Sequence, residues 1–286
     1  MPFAPLASGD SKEESMSNPV LNERTLRSAS TTWAPPQPGT GHVPGINDGP
    51  MSSWRPDRMT VNGTITATAT LFVLLLVAAT VGWLQTKPTV DAQGFVQYSM
   101  PPYALVGVVI GFGAAILLYF KPRLAKFVGP VYALGQGFFV GALSKMYESY
   151  YDGIVVQAAG ATIGVFTVML VLYRTQIIKV TDRFRQIVVT ATLGLMLFYG
   201  VTFIIRLFSG SSPSFLSSPS LLGIGFSVLV AGLAAMNLAL DFDFIDRGSK
   251  QGLDKDFEWY AAFGLLVTIV WLYLELLRLL SKLRER

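Results

Sequence analysis

The sequence is divided into long stretches without charge, which are separated by short clusters of charged residues. No charged residue lies between Arg58 and Lys87, and none lies between Lys126 and Lys145. A helix needs about 20 predominantly apolar residues to cross the hydrocarbon core of a bilayer. Only 14% of the residues are charged, against about 25% in ordinary soluble domains. This segregation predicts a polytopic membrane protein built from helices.

Seven predominantly apolar stretches have the length of a membrane span. They are predicted at about residues 64–84, 103–120, 127–144, 153–173, 186–205, 221–244 and 259–280. Residues 1–57 are rich in Ser, Pro, Gly and Asn, and they are predicted to be a disordered tail. The predicted fold class is therefore all-α, with this tail followed by a seven-helix transmembrane domain at residues 58–286. Met16, which precedes SNPVLN, is a second candidate for the start beside Met1.

Lysine and arginine are concentrated in alternate loops. The segment before the first span and the loops after the second, fourth and sixth spans hold most of the basic residues near the spans. Such residues are enriched in cytoplasmic loops, so the N-terminus is predicted to be cytoplasmic. Seven crossings would place the basic C-terminus on the other side, whereas a last segment that enters and returns would not. We favour seven crossings, because the early loops usually dominate orientation.

The residue counts exclude several classes of function. There is no Cys, and the single His, His42, lies in the tail, so a thiol nucleophile or a His-based metal site is not expected. The basic residues lie between apolar runs rather than on one face, so a nucleic-acid partner is not expected. An intramembrane aspartyl protease needs a Gly-x-Gly-Asp arrangement, which neither acidic span contains. A retinal protein is also not expected, because no lysine precedes Lys282 in the seventh span. The chain is therefore not predicted to be an enzyme.

Three acids close the sixth apolar run, in the stretch LDFDFID at residues 240–246. A charge at the centre of a bilayer costs about 3 kcal/mol on insertion scales, so such residues usually face a bundle interior or water. Because successive helical residues turn by about 100°, Asp241 shares a face with Asn237, and Asp243 shares another with Asp246. Asp246 is predicted to mark the cytoplasmic end of the helix. Asp241 either points into the bundle or belongs to an interfacial cluster with the other two acids.

The seventh span carries its own acid, Glu275, after an uncharged run that begins at Trp259. Arg278 follows three residues later, within pairing distance on the same helix. Glu275 therefore either pairs locally with Arg278 or faces Asp241 across the bundle. Two carboxylates in one dry site would share a proton at acidic pH, and they would separate or bind a cation at higher pH. Ca²⁺ is a suitable cation, because it accepts oxygen ligands in a flexible geometry.

Three stretches of the sequence resemble the Bax inhibitor-1/YccA family, in its bacterial branch. They are GQGFFVGALSKMYES in the third span, AAMNLALDFDFI in the sixth and EWYAAFGLLVTIVWLYLELLRLL in the seventh. The resemblance covers about residues 58–286, and SNPVLN near the N-terminus is also typical of the family. It implies seven transmembrane helices, of which six surround a central, hydrophobic seventh.

The resemblance also implies a function, which is a pH-sensitive calcium or cation leak channel in the bacterial plasma membrane. In the family a di-carboxylate pair between helices six and seven senses pH. Asp241 matches the first acid of this pair, with a hydrophobic residue, Ile245, four positions later. Glu275 matches the second acid. The same pair is predicted to bind Ca²⁺, Asp243 and Asn237 are further candidates for pH sensing or ion binding, and no other cofactor is predicted.

The sequence departs from the family pattern at three places. Glu275 follows LYL where the family has Asp, and the loop between the last two helices is longer. The second span also lacks the arginine that partners the acid in some members. The alternative function is a non-conducting stress or quality-control regulator, which would bind partner membrane proteins such as membrane proteases.

Overall fold

The computed structural model describes residues 57–90, 96–98, 101, 103–209 and 218–286. These described residues form seven helices: α1 (Val61–Gln85), α2 (Ala104–Phe120), α3 (Ala125–Tyr150), α4 (Ile154–Arg174), α5 (Asp182–Ser209), α6 (Leu221–Gln251) and α7 (Phe257–Arg284). A short antiparallel hairpin, β1 (Pro88–Val90) and β2 (Val96–Tyr98), follows α1, and a 3₁₀ turn (Pro122–Leu124) precedes α3. Apart from residue 57, the predicted disordered tail and the alternative start lie outside the described residues.

Six of the described helices are long and apolar enough to cross a membrane, and α2 is a shorter apolar helix of 17 residues. The prediction of an all-α polytopic membrane protein is therefore confirmed. The helix α7 is continuous over 28 residues. This is the geometry of a single crossing rather than of a segment that enters and returns.

The last helix, α7, lies at the centre of the bundle. It packs against α1, α3, α4 and α6. Half of its most apolar stretch is buried, compared with 17% for α5 at the periphery. The side chains of Leu266, Leu272 and Leu277 are almost completely buried, as expected for a helix that its neighbours surround.

Small residues spaced four apart are predicted to let helix backbones approach closely, as in GFFVG of α3 and GATIG of α4. In α3 this spacing does so. A Cβ atom on Gly137 would clash with the carbonyl oxygen of Leu75, and one on Gly141 would clash with that of Ala79. The glycines of GATIG have no neighbouring atom within 4 Å among the described residues, so the same spacing does not bring helices together there.

The sixth helix extends beyond its predicted end. The sequence predicts that it ends near Asp246, but it continues to a left-handed C-cap at Gly252, where φ is 65°. Ion pairs of Arg247 with Asp243 and of Lys250 with Asp246, each four residues apart, stabilise the additional turns. The prediction that Asp246 marks the helix end is therefore wrong, because the basic residues that follow it extend the helix through these pairs.

Hydrogen bonds close the two ends of the bundle. We call the end formed by residues 57–60, 121–124, 175–181 and 252–256 the N-terminal end, and the opposite one the C-terminal end. At the N-terminal end, the N–H of Met59 donates to the carbonyl oxygen of Leu253 at 2.7 Å. At the C-terminal end, the Tyr151 hydroxyl donates to the Glu285 carboxylate at 2.7 Å. These contacts fix the start of α1 and the end of α7 at opposite ends.

Candidate functional site

A cavity of about 670 Å³ lies between α2, α5, α6 and α7, toward the N-terminal end of the bundle. Most of its wall is apolar. The polar side chains among its lining residues are Tyr119, Arg185, Asn237, Asp241, Arg247, Gln251 and Tyr260. Its volume is in the range of small-ligand pockets, which span about 300 to 1,000 Å³. The cavity is therefore the candidate site.

Asp241 lines this cavity from α6, facing α7. Its Oδ1 atom lies next to Gly264, which has no side chain to fill the space, and the hydroxyl of Thr268 is also close to the carboxylate. Its Oδ2 atom is buried and has no hydrogen-bond partner among the described residues. An unsatisfied buried polar atom costs about 1–3 kcal/mol, and more when it is charged. Asp241 is therefore well suited to bind a proton or a cation.

Asn237 lies one helical turn before Asp241 on the same cavity wall, as the sequence predicts. Its amide nitrogen donates to the Thr192 hydroxyl of α5 and to the Leu233 carbonyl oxygen, both at 2.9 Å. These bonds hold α6 against α5 and orient the side chain. The amide oxygen is then the atom that Asn237 could offer to a ligand.

Asp243 has a different environment from Asp241. It is 6% exposed, and its carboxylate accepts hydrogen bonds from Arg185 at 2.8 Å and from Arg247 at 2.9 Å. Arg247 also donates to the carbonyl oxygen of Val180, in the segment that joins α4 to α5. Asp243 therefore connects three segments of the N-terminal end, and its charge is compensated. Its two arginines were missed from the sequence, where basic residues near span ends were attributed to orientation.

Glu275 lies in another part of the bundle. It is 3% exposed, and its Oε2 atom accepts a hydrogen bond from Arg278 at 3.2 Å. Arg278 also donates to the hydroxyl of Tyr199 in α5, at 2.9 Å. The Oε1 atom of Glu275 is buried and has no hydrogen-bond partner in the part of the chain that is described. Of the two alternatives for Glu275, the structure has the local pair with Arg278.

A buried lysine completes this second polar cluster. Lys282 is 2% exposed, and its Nζ atom donates to the Gly223 carbonyl oxygen at 3.1 Å and to the Ser227 hydroxyl at 3.0 Å. Glu275 is close enough to interact electrostatically with Lys282. This role of Lys282 was not predicted, because Lys282 belongs to a basic C-terminal stretch typical of an interface.

The structure does not bring Asp241 and Glu275 together. Asp241 is level with Gly264 on α7, and at 1.5 Å per residue Gly264 and Glu275 are separated by about 16 Å along the helix. The almost completely buried side chains of Leu238 and Leu272 belong to the apolar cluster between α6 and α7. The prediction that the two carboxylates face each other, and could hold one Ca²⁺ between them, is wrong for this structure. Among the described residues, no three His, Cys, Asp or Glu side chains form a metal-binding group.

The whole chain was compared with known proteins. A family described as Bax inhibitor 1 like matches residues 12–285, which include all seven helices. A search of curated proteins finds no match. The family match does not distinguish between branches, so the bacterial branch stays a prediction. Because the match covers nearly the entire sequence, the chain belongs to the Bax inhibitor 1 like family.

Proposed function

We propose that the protein is a pH-sensitive cation leak channel and that Asp241 is its pH-responsive group. The observation that carries the proposal is the buried carboxylate oxygen of Asp241, which has no hydrogen-bond partner among the described residues and lies in the wall of a cavity. Ionisable residues inside membrane proteins usually serve ion pathways, proton relays or binding sites.

The charges around the cavity set the direction of the pH response. Asp241 and Asp243 balance Arg185 and Arg247 when both acids are ionised. Protonation of Asp241 leaves this group with one surplus positive charge, which repels cations. Tyr119 of α2 and Tyr260 of α7 are the other titratable side chains in the lining, and the direction of the response follows from the two acids and the two arginines. Cation flux should therefore be low at acidic pH and rise toward neutral pH.

Ca²⁺ is the cation that we propose, because the cavity offers hard oxygen ligands. The Asp241 carboxylate and the Asn237 amide oxygen lie on one wall, and flexible oxygen coordination suits Ca²⁺. The apolar cluster that contains Leu238 and Leu272 separates this cavity from the polar cluster around Glu275. Conduction would then require α6 and α7 to separate, so the described conformation corresponds to a closed state.

We also propose an orientation and a location. The N-terminal end carries exposed basic residues, including Lys121, Arg123 and Lys179. Basic loops favour the cytoplasmic side, so the cavity would open toward the cytoplasm of a bacterial plasma membrane. We propose no enzymatic activity, because neither acidic helix has the Gly-x-Gly-Asp arrangement of an intramembrane aspartyl protease.

A second candidate is a non-conducting regulator that binds partner membrane proteins or proteases. The observation that favours it is the ion pairing of Asp243 and Glu275, whose arginine partners give both acids a purely structural role. In that case Asp241 would have no function in transport.

Flux measurements distinguish the two candidates. The full chain is reconstituted in liposomes that contain a Ca²⁺ dye, and uptake is compared at acidic and neutral pH. We expect faster uptake at neutral pH in the wild type, and slow uptake without pH dependence in Asp241→Asn. Asp246→Asn is the matched control, because Asp246 pairs with Lys250 outside the cavity. A wild type that passes no ion at either pH rejects the channel, whereas wild-type behaviour of Asp241→Asn rejects only the site assignment.

A further inference from the structure

The cavity opens through the side of the bundle as well as toward its N-terminal end. Ala115 and Tyr119 of α2 and Val189 of α5 line it, and all three are exposed on the outer surface. Tyr119 is 78% exposed and Val189 is 42% exposed. In a membrane-embedded bundle this surface faces lipid. The cavity is therefore accessible from the bilayer between α2 and α5.

Two arginines lie where this opening meets the N-terminal end. Arg185 is in the first turn of α5, and Arg247 is near the end of α6, so both are at the level expected for lipid headgroups. Their side chains are 44% and 41% exposed. A single carboxylate, that of Asp243, pairs with both guanidinium groups. Because the two arginines share this one carboxylate, their ion pairs leave one positive charge unpaired, which only an ionised Asp241 in the same cavity lining would offset.

The guanidinium groups also retain hydrogen-bonding capacity. Each has five N–H donors in a planar arrangement that matches phosphate. Arg185 donates one hydrogen bond, to Asp243, and Arg247 donates to Asp243 and to the Val180 carbonyl oxygen in the hydrogen bonds found among the described residues. Most of their N–H groups are therefore available to an anionic ligand.

We propose that this cavity binds one anionic phospholipid, with the lipid phosphate on Arg185 and Arg247 and an acyl chain between α2 and α5. The lateral opening admits a chain that is already in the bilayer, and the apolar walls would cover it. The phosphate would compensate the surplus charge of the arginines. A free phosphate ion would use the arginines but not the apolar walls. The proposal does not depend on ion conduction.

Native mass spectrometry of the full chain in detergent tests this proposal. Binding of phosphatidylglycerol is compared with that of phosphatidylcholine carrying the same acyl chains, and with inorganic phosphate. We expect one tightly bound phosphatidylglycerol, and weaker binding of the other two. Loss of one charge-assisted contact should weaken binding about tenfold in Arg185→Gln and in Arg247→Gln. Arg183→Gln is the control, because Arg183 is a nearby exposed arginine outside the cavity lining.

A second variant tests the contribution of the acyl chain separately from that of the headgroup, and it does not disturb the ion pairs with Asp243. Val189→Trp fills the lateral opening from an exposed position, so we expect it to fold and to lose phosphatidylglycerol binding by about tenfold. Equal binding of the two phospholipids to the wild type, or unchanged binding to the arginine variants or to Val189→Trp, would overturn the proposal. Inorganic phosphate binding as tightly as phosphatidylglycerol would also overturn it, because the lipid chain would then contribute nothing.

Discussion

The substitution Lys282→Met is expected to destabilise the bundle at its C-terminal end. Lys282 is 2% exposed, and its Nζ atom donates to the Gly223 carbonyl oxygen and to the Ser227 hydroxyl. Hydrogen bonds from charged donors contribute about 1.5–3 kcal/mol each. Methionine keeps most of the side-chain volume of the lysine. It leaves the Glu275 carboxylate with Arg278 as its remaining cation. It also removes the cost of burying the lysine charge, which offsets part of the loss. We expect a net loss of about 2 kcal/mol in the free energy of unfolding.

The assay is unfolding of the purified protein from mixed micelles by a denaturing detergent, followed by tryptophan fluorescence. Lys250→Met is the matched control. Lys250 also lies near the end of a helix and pairs with an acid, but its side chain is 74% exposed, so its loss should cost less than about 0.5 kcal/mol. A double-mutant cycle with Glu275→Gln should give a coupling energy of about 1 kcal/mol with Lys282→Met. Equal stability of Lys282→Met and Lys250→Met would show that the buried ammonium group of Lys282 does not stabilise the bundle.

Three further predictions concern helix packing, an ion-pair network and a helix cap, and the same unfolding assay checks each of them. Gly141→Leu should lose about 3 kcal/mol or fail to fold, because its Cβ would meet backbone of α1, whereas Gly164→Leu should be nearly neutral. Asp243→Asn removes two ion pairs and should lose about 1–2 kcal/mol of stability, a modest loss because both arginine partners are partly exposed. Stability equal to that of the wild type would contradict the assigned ion pairs. Glu258→Gln should lose about 1 kcal/mol of stability, because the buried carboxylate accepts hydrogen bonds from the backbone N–H and the hydroxyl of Thr60 at the start of α1. No loss of stability would show that this cap is not formed.

The helices were predictable because their signal is local. Uncharged stretches of about 20 residues are enough to locate spans, and α1, α2 and α4 begin and end within three residues of the predicted bounds. The ends of α3 and α6 were less predictable. In α6, Arg247 and Lys250 look like loop residues by hydropathy, but they form ion pairs along the helix and extend it. Charge alone does not end a helix once it has left the apolar region.

The separation of the two acids could have been anticipated from the direction of the helices. Asp241 lies near the end of α6, and Glu275 lies near the end of α7. Neighbouring helices joined by a short loop run in opposite directions, so residues near the end of each lie at opposite ends of the bundle. The expected pairing followed from the chemistry of two carboxylates in one dry site and from the family resemblance, and neither took this depth into account. The buried position of Lys282 could not be anticipated, because it depends on how the last turn of α7 packs against the first turns of α6.

In the proposed channel, cations pass through the cavity beside Asp241. The chain has no cysteine, so Ala261→Cys introduces a single thiol in the cavity lining with a small change in side-chain size. A membrane-impermeant thiol reagent is added to one side of the liposomes, and Ca²⁺ flux is measured after complete labelling. We expect labelling from the side of the N-terminal end to abolish flux, because the labelled side chain would block this path, and we expect the wild type to be unaffected. Full flux through completely labelled Ala261→Cys would contradict it.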